Sequence, residues 1–194
     1  MATIGLDKLY FAKITEDENG NETYDKPQIL AKAMTASLSV EMNEATLYAD
    51  DGTAEDVKEF KNGSLSLGVD DIGVDIAKVL TGAVVDSNGV LVSTGEDTGK
   101  AVAIAFRARK SNGKYRYFWL YRVKFAIPNT ELETKGDSIN FSTPTIEGTI
   151  FRRNKLDSKN NHPWKAEITE DGTNNTIVNT WYDEVYEPSY GGKE

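Results

Sequence analysis

The sequence contains no cysteine. Disulfide staples, thiol nucleophiles and thiolate metal sites are therefore excluded, and the absence fits a reducing compartment. It has a single histidine, His162. No apolar stretch approaches the ~20 residues of a membrane-spanning helix. The opening MATIGLDKLYFAKI lacks a basic segment followed by an apolar one, which argues against a signal peptide. Bases are in the minority, 22 against 31 acids, for a net charge of −9. A nucleic-acid binder needs a positive surface to displace counterions. The balance disfavours affinity for DNA without forbidding DNA to pass nearby. Neither G-x-G-x-x-G, G-x-x-x-x-G-K-[ST] nor G-x-S-x-G is present, so nucleotide loops and hydrolase elbows are missing as well.

What the sequence does have is extended structure. Residues 101–127 hold two strand-like runs around Ser111-Asn112-Gly113. Asn-Gly predicts a type I′ hairpin turn, because both residues tolerate positive φ. In the second run the odd positions Tyr115, Tyr117, Trp119, Tyr121, Val123, Phe125 and Ile127 are apolar or aromatic. Alternation places them on one buried face, and the first six are the predicted core. The run would span roughly 40 Å, long enough for a large sheet or a barrel wall. On the first run Ala101, Ala103 and Ala105 form a small-residue stripe that another surface can approach closely.

In chain order, 7–14 reads as a strand and 15–27 as a hairpin turn or an excursion. Residues 28–42 read as a second long strand with one small-residue face. Residues 43–62 break the pattern and are long for a loop, yet they carry Leu47, Tyr48, Val57 and Phe60 among acids that include Asp50 and Asp51. This segment is read as an arm that docks on something, another subunit being one candidate. Strand 63–69 follows, then a helix over Val74–Leu80 capped by Asp71 and ended by Gly82, then a hairpin over 83–92. Residues 138–153 read as a long strand that Pro144 demotes to an edge or a bulge. A strand at 164–168, a terminal helix over Thr176–Tyr186 and a loose tail over 187–194 complete the chain. The expected class is mainly β: a single domain over 1–194, a sandwich or barrel with a helix on its flank.

Candidate sites are few. His162 sits in a polar loop without a nucleophile or a second imidazole, and a solvated loop histidine is the better reading. Asp50-Asp51-Gly52 with Glu55 and Asp56 departs from calcium-loop spacing. Asp70, Asp71 and Asp75 suit a helix start better than an acid–base pair. Arg107, Arg109, Arg116, Arg122 and Lys124 form a basic patch expected to pair with acids of a neighbouring sheet or subunit. No catalytic group, metal or cofactor is expected.

The stretches GLDKLYFAKI, EATLYADDGTAED, VKEF, SLGVDDIG, GKYRYFWLYRVKFAIP, FSTPTIEGTIFRRNK, HPWKAE and WYDEVYEP run nearly the whole length. In this order they resemble the major tail proteins, or tail-tube proteins, of long flexible-tailed phages and prophages of Gram-positive bacteria. The resemblance implies a tail-tube-type β-sandwich or barrel with a flanking helix and a long inter-strand arm. It implies hexameric rings stacked into a hollow virion tube, assembled in the host cytoplasm, through which DNA leaves without sequence-specific binding. It also implies a tape-measure protein, a tail terminator and distal tail or baseplate proteins as partners, and no membrane. Residues 43–62 then become the inter-ring arm, with Leu47, Tyr48 and Phe60 as anchors. A carbohydrate-binding β-sandwich using exposed aromatics, and the tube of a contractile injection or type VI-like secretion machine, remain as alternatives.

Overall fold

The computed structural model describes residues 3–18, 20–49, 52–128 and 143–190. Antiparallel strands dominate: β1 (Thr3–Glu16), β2 (Glu22–Tyr24), β3 (Gln28–Ala31), β4 (Ala33–Ala49), β5 (Gly52–Val69), β6 (Val84–Val85), β7 (Leu91–Val92), β8 (Val102–Lys110), β9 (Tyr115–Phe125), β10 (Thr145–Ile150) and β11 (Lys165–Thr169). Two short helices accompany them, α1 (Val74–Thr81) and α2 (Asn175–Asn179). The fold is mainly β, as the alternation predicts.

The large sheet runs β2-β1-β8-β9-β10-β5-β4 and closes on itself. Residues 28–49 are extended apart from Lys32. The start of this run, β3, pairs with β1, while the remainder, β4, pairs with β5. One continuous stretch thus joins the two ends of the sheet, which removes most of the exposed edges of long strands. Leu9, Phe11, Leu30, Leu65, Leu67, Ile104, Leu120, Val123 and Ile146 fill the interior, and Leu80 of α1 reaches the same cluster.

β9 carries a bulge that the strict alternation did not foresee. Val102 pairs with Val123 but Ile104 with Leu120, so β9 holds one extra residue there. Tyr117, Trp119 and Tyr121 consequently point outward, while Val123 and Phe125 point inward beside Leu120. The six predicted core residues therefore serve two cores, with Tyr115 only partly buried. The bulge also divides the sheet, with β11 against residues 116–120 and β10 against 123–125.

The outer core shows what the alanine stripe admits. Ala103 and Ala105 lie fully buried under Val178, Trp181 and Val185 of the chain's own C-terminal segment. That segment is not the expected helix over Thr176–Tyr186. α2 ends at Asn179 and gives way to three-residue turns, Trp181 N–H to Val178 O and Asp183 N–H to Thr180 O. Two causes are visible. Asn and Thr are weak helix formers. The sheet also captures carbonyls, through Trp119 Nε1 donating to Trp181 O at 3.0 Å and Tyr121 OH to Tyr186 O at 2.9 Å. The tail is not loose as far as it is described: Glu187 pairs with Arg153 and Lys155, and Tyr190 OH donates to Asp157.

Other expectations shift locally. The β8–β9 turn is not type I′, because Gly113 (φ 81) has positive φ and Asn112 does not. Gly113 N–H bonds Lys110 O, and Lys110 N–H bonds Lys114 O, the three-residue form with glycine in the left-handed position. The same pattern closes the turns at 17–21, 86–90 and 157–161, which settles 15–27 as a hairpin. α1 has Gly73 at its N-cap; the Asp71 carboxylate accepts from Ile72 N–H instead. Gly82 ends the helix as expected. Pro144 precedes β10, which lies inside the sheet between β9 and β5 rather than at an edge. The earlier part of the expected 138–153 strand, 138–142, lies outside the described residues.

Candidate assembly surface

The segment read as a loop at 43–62 is the far half of a long hairpin. β4 and β5 pair from Ala33–Val69 to Ala49–Gly52. The strand pattern is hard to see because extra residues at Met34, Lys61 and Ala54 shift the parity three times. Residues 40–45 are also wet on both faces, so no in–out alternation was required of them. β10 pairs with β5 only over Gly63–Gly68. Beyond that, among the described residues, the hairpin projects with both edges free of strand partners.

Cross-strand ion pairs Glu44–Lys58 (3.1 Å) and Glu41–Lys61 (3.5 Å) dress the projection. Val57 is 43% and Met42 47% exposed. Val57 is thus open to water. Phe60 is engaged: its ring stacks on Trp164 at 4.6 Å, and Arg152 donates to its carbonyl. Phe60 moors the root of the arm to its own barrel. Asp50 and Asp51 lie outside the described residues, as do the side chains of Leu47 and Tyr48.

The basic patch is largely engaged within the chain. Arg107 grips Asp7 with two bonds of 2.6 and 2.7 Å and lies over the Tyr115 ring at 3.9 Å. Those bonds raise its affinity for the proton. Arg116 pairs with Glu167, and Arg122 with Glu16 and the buried Glu22. Arg109 and Lys124 remain exposed. Glu22 also accepts Asn154 N–H (2.7 Å) and Lys155 N–H (3.2 Å), so one carboxylate from β2 ties the loop after β10 to β9. Sequence reading missed this link, and nothing periodic marks such a long-range charge pair.

The outward face of β4–β5–β10 is smooth. Ser37, Ser66 and Glu147 lie in one row, and Ser39, Ser64, Thr149 and Lys124 in the next. His162 is exposed, with Nδ1 3.0 Å from Arg153 O. Asp70 accepts Lys32 N–H and Asp71 N–H, and the Lys32 bond above all holds its carboxyl below the usual range. No metal-ligating cluster occurs among the described residues, nor any helix long and apolar enough to cross a membrane. A cleft of about 350 Å³ lies between Ile14, Glu16, Lys100 and Arg122, and two of its lining groups, Glu16 and Arg122, pair with each other. Comparison with protein-family models returns no match, and comparison with curated proteins returns none.

Proposed function

We propose that the protein is a structural subunit of a hollow tube, the tail tube of a long-tailed phage, assembling as stacked rings around passing DNA. The observation that carries this reading is the β4–β5 hairpin. A closed barrel has no need of a paired projection with free edges and exposed Val57 and Met42, whereas an assembling subunit gains a strand template and an apolar contact from it. The hydroxyl-lined wall of β4–β5–β10 adds support. It would offer passing DNA serine, threonine and one charge of each sign, Glu147 and Lys124, in neighbouring rows. The sugar-binding alternative loses its platform, because Tyr117, Trp119 and Tyr121 are buried.

Negative-stain electron microscopy of the purified chain over a concentration series at moderate salt tests the proposal. Rings or hollow tubes are expected. Compact monomers at every concentration, together with binding to immobilised polysaccharide, would overturn it.

A further inference from the structure

The two ends of the barrel differ in their exposed charges. Residues 107–116, at the β8–β9 turn, contain five bases and no acid. Arg107 and Arg116 are committed to Asp7 and Glu167, while Arg109 and Lys114 point to water. Four acids lie beside this turn, and all have local work: Asp7 and Glu167 hold Arg107 and Arg116, and Lys114 acts on Asp171. Glu170 accepts Tyr115 N–H, and Asp171 accepts from Thr173 and Asn174.

β9 leads from this turn, at Tyr115, to Phe125, a run of roughly 33 Å. The far end belongs to α1 and the β6–β7 hairpin. β5 reaches α1 at the Phe125 end, and Gly99 lies so close to Leu80 O and Phe125 O that a Cβ would stand 2.0 and 3.3 Å from them. Residues 70–100 contain six acids against Lys78 and Lys100. On the small hairpin Val84 and Val92 face each other across the strands, 62% and 45% exposed, with Val90 at 54% beside them.

We infer that this acidic, valine-bearing end receives the basic β8–β9 turn of a second copy of the chain, so that copies add head to tail. The inference rests on the tube reading and assigns its axial contact. Charge decides the polarity. A pair joined through two 70–100 ends would set acids against acids, whereas head-to-tail sets them against the exposed Arg109 and Lys114. Such a heterologous contact continues into a filament. Its charged part weakens with salt, because exposed pairs are screened within about 10 Å at 0.1 M.

The test uses the full chain and three variants: Arg109→Glu with Lys114→Glu, Asp75→Lys with Glu96→Lys, and all four together. All four side chains are exposed, and circular dichroism checks that each variant is folded. Sedimentation velocity and electron microscopy then read assembly. Each two-residue variant alone should raise the assembly concentration about tenfold or more, stopping at rings or subunits. The four-residue variant, and an equimolar mixture of the two partial variants, should recover long assemblies. Variants that assemble like wild type, or a mixture that fails to recover, would overturn the contact while leaving the tube reading in place. A wild-type chain that never exceeds one subunit at any concentration and binds immobilised polysaccharide would overturn both.

Discussion

Arg153 donates through Nη1 to Glu187 at 2.9 Å from a side chain wholly out of water, while Glu187 is 42% exposed. The guanidinium also lies over the Tyr121 ring at 4.7 Å. Burial opposes its charge, but Glu187, with Tyr24 and Tyr121, more than offsets that, so its proton is held more tightly than usual. This contact fastens the C-terminal segment to the barrel. Removing the arginine takes away a large buried side chain together with its partner. Arg153→Ala should cost about 3 kcal/mol, seen as a lower urea midpoint with an unchanged slope. The uncharged pair Arg153→Met with Glu187→Gln should recover most of it. A midpoint for Arg153→Ala within error of wild type would refute the assignment.

Trp119→Phe keeps a ring in the outer core but removes the donor to Trp181 O. The loss should be about 1–2 kcal/mol from the bond and the void. It should be local as well: limited proteolysis between residues 170 and 190 should speed up before any change elsewhere.

Gly148 in β10 faces Val123 and Phe125, where a Cβ would lie 2.7 Å from Val123 Cγ1 and 2.9 Å from the phenyl ring. Gly148→Ala should destabilise by about 1–3 kcal/mol through overpacking, and Gly148→Val by more. A companion Val123→Ala change should relieve part of the first effect in a double-mutant cycle.

Burial raises the hydroxyl pKa of Tyr24, Tyr121 and Tyr182 above the ordinary 10.0. A group whose folded-state pKa is raised stabilises the fold below its unfolded value and ceases to do so as pH climbs toward the folded one. Stability should therefore be flat below about pH 10 on account of these groups and fall above it. Tyrosinate absorbance should appear together with unfolding rather than before it.

Deleting residues 46–58 should leave a folded barrel, since Phe60 and Trp164 stay in place. Circular dichroism should report β structure with an unchanged melting transition, while electron microscopy should find no tubes. Normal tubes from this deletion would remove the hairpin from the assembly mechanism.

The sequence made the central hairpin legible because aromatic and β-branched residues alternate between two wet turns. It hid the bulge at residues 121–122, because Val123 and Phe125 are apolar whichever face they take. The arm looked like a loop for the opposite reason: a strand wet on both faces imposes no periodicity. Apolar residues from Ile177 to Val185 fall at helical spacing, yet the carbonyl bonds from Trp119 and Tyr121 that end α2 come from more than 60 residues away, beyond any local pattern. Asp71 read as a cap because Asp commonly is one, and the extra residues Ile72 and Gly73 moved the helix start past it. The basic patch was visible by composition, but which acids meet it depended on the closure of the barrel.

That closure has a kinetic consequence. The bond from Arg107 to Asp7 links residues 100 apart, and the β1–β8 seam runs from Thr3–Lys110 to Lys13–Val102, all comparably distant in sequence. On the ribosome, the first strand emerges long before its main partner exists, whereas β4 and β5 can zip locally as soon as both are made. Contacts between distant parts of a chain form slowly, and strands left waiting are prone to mispair. The hairpin should thus be an early event in synthesis and the β1–β8 seam a late one, with the nascent N-terminal strand the segment most in need of a chaperone.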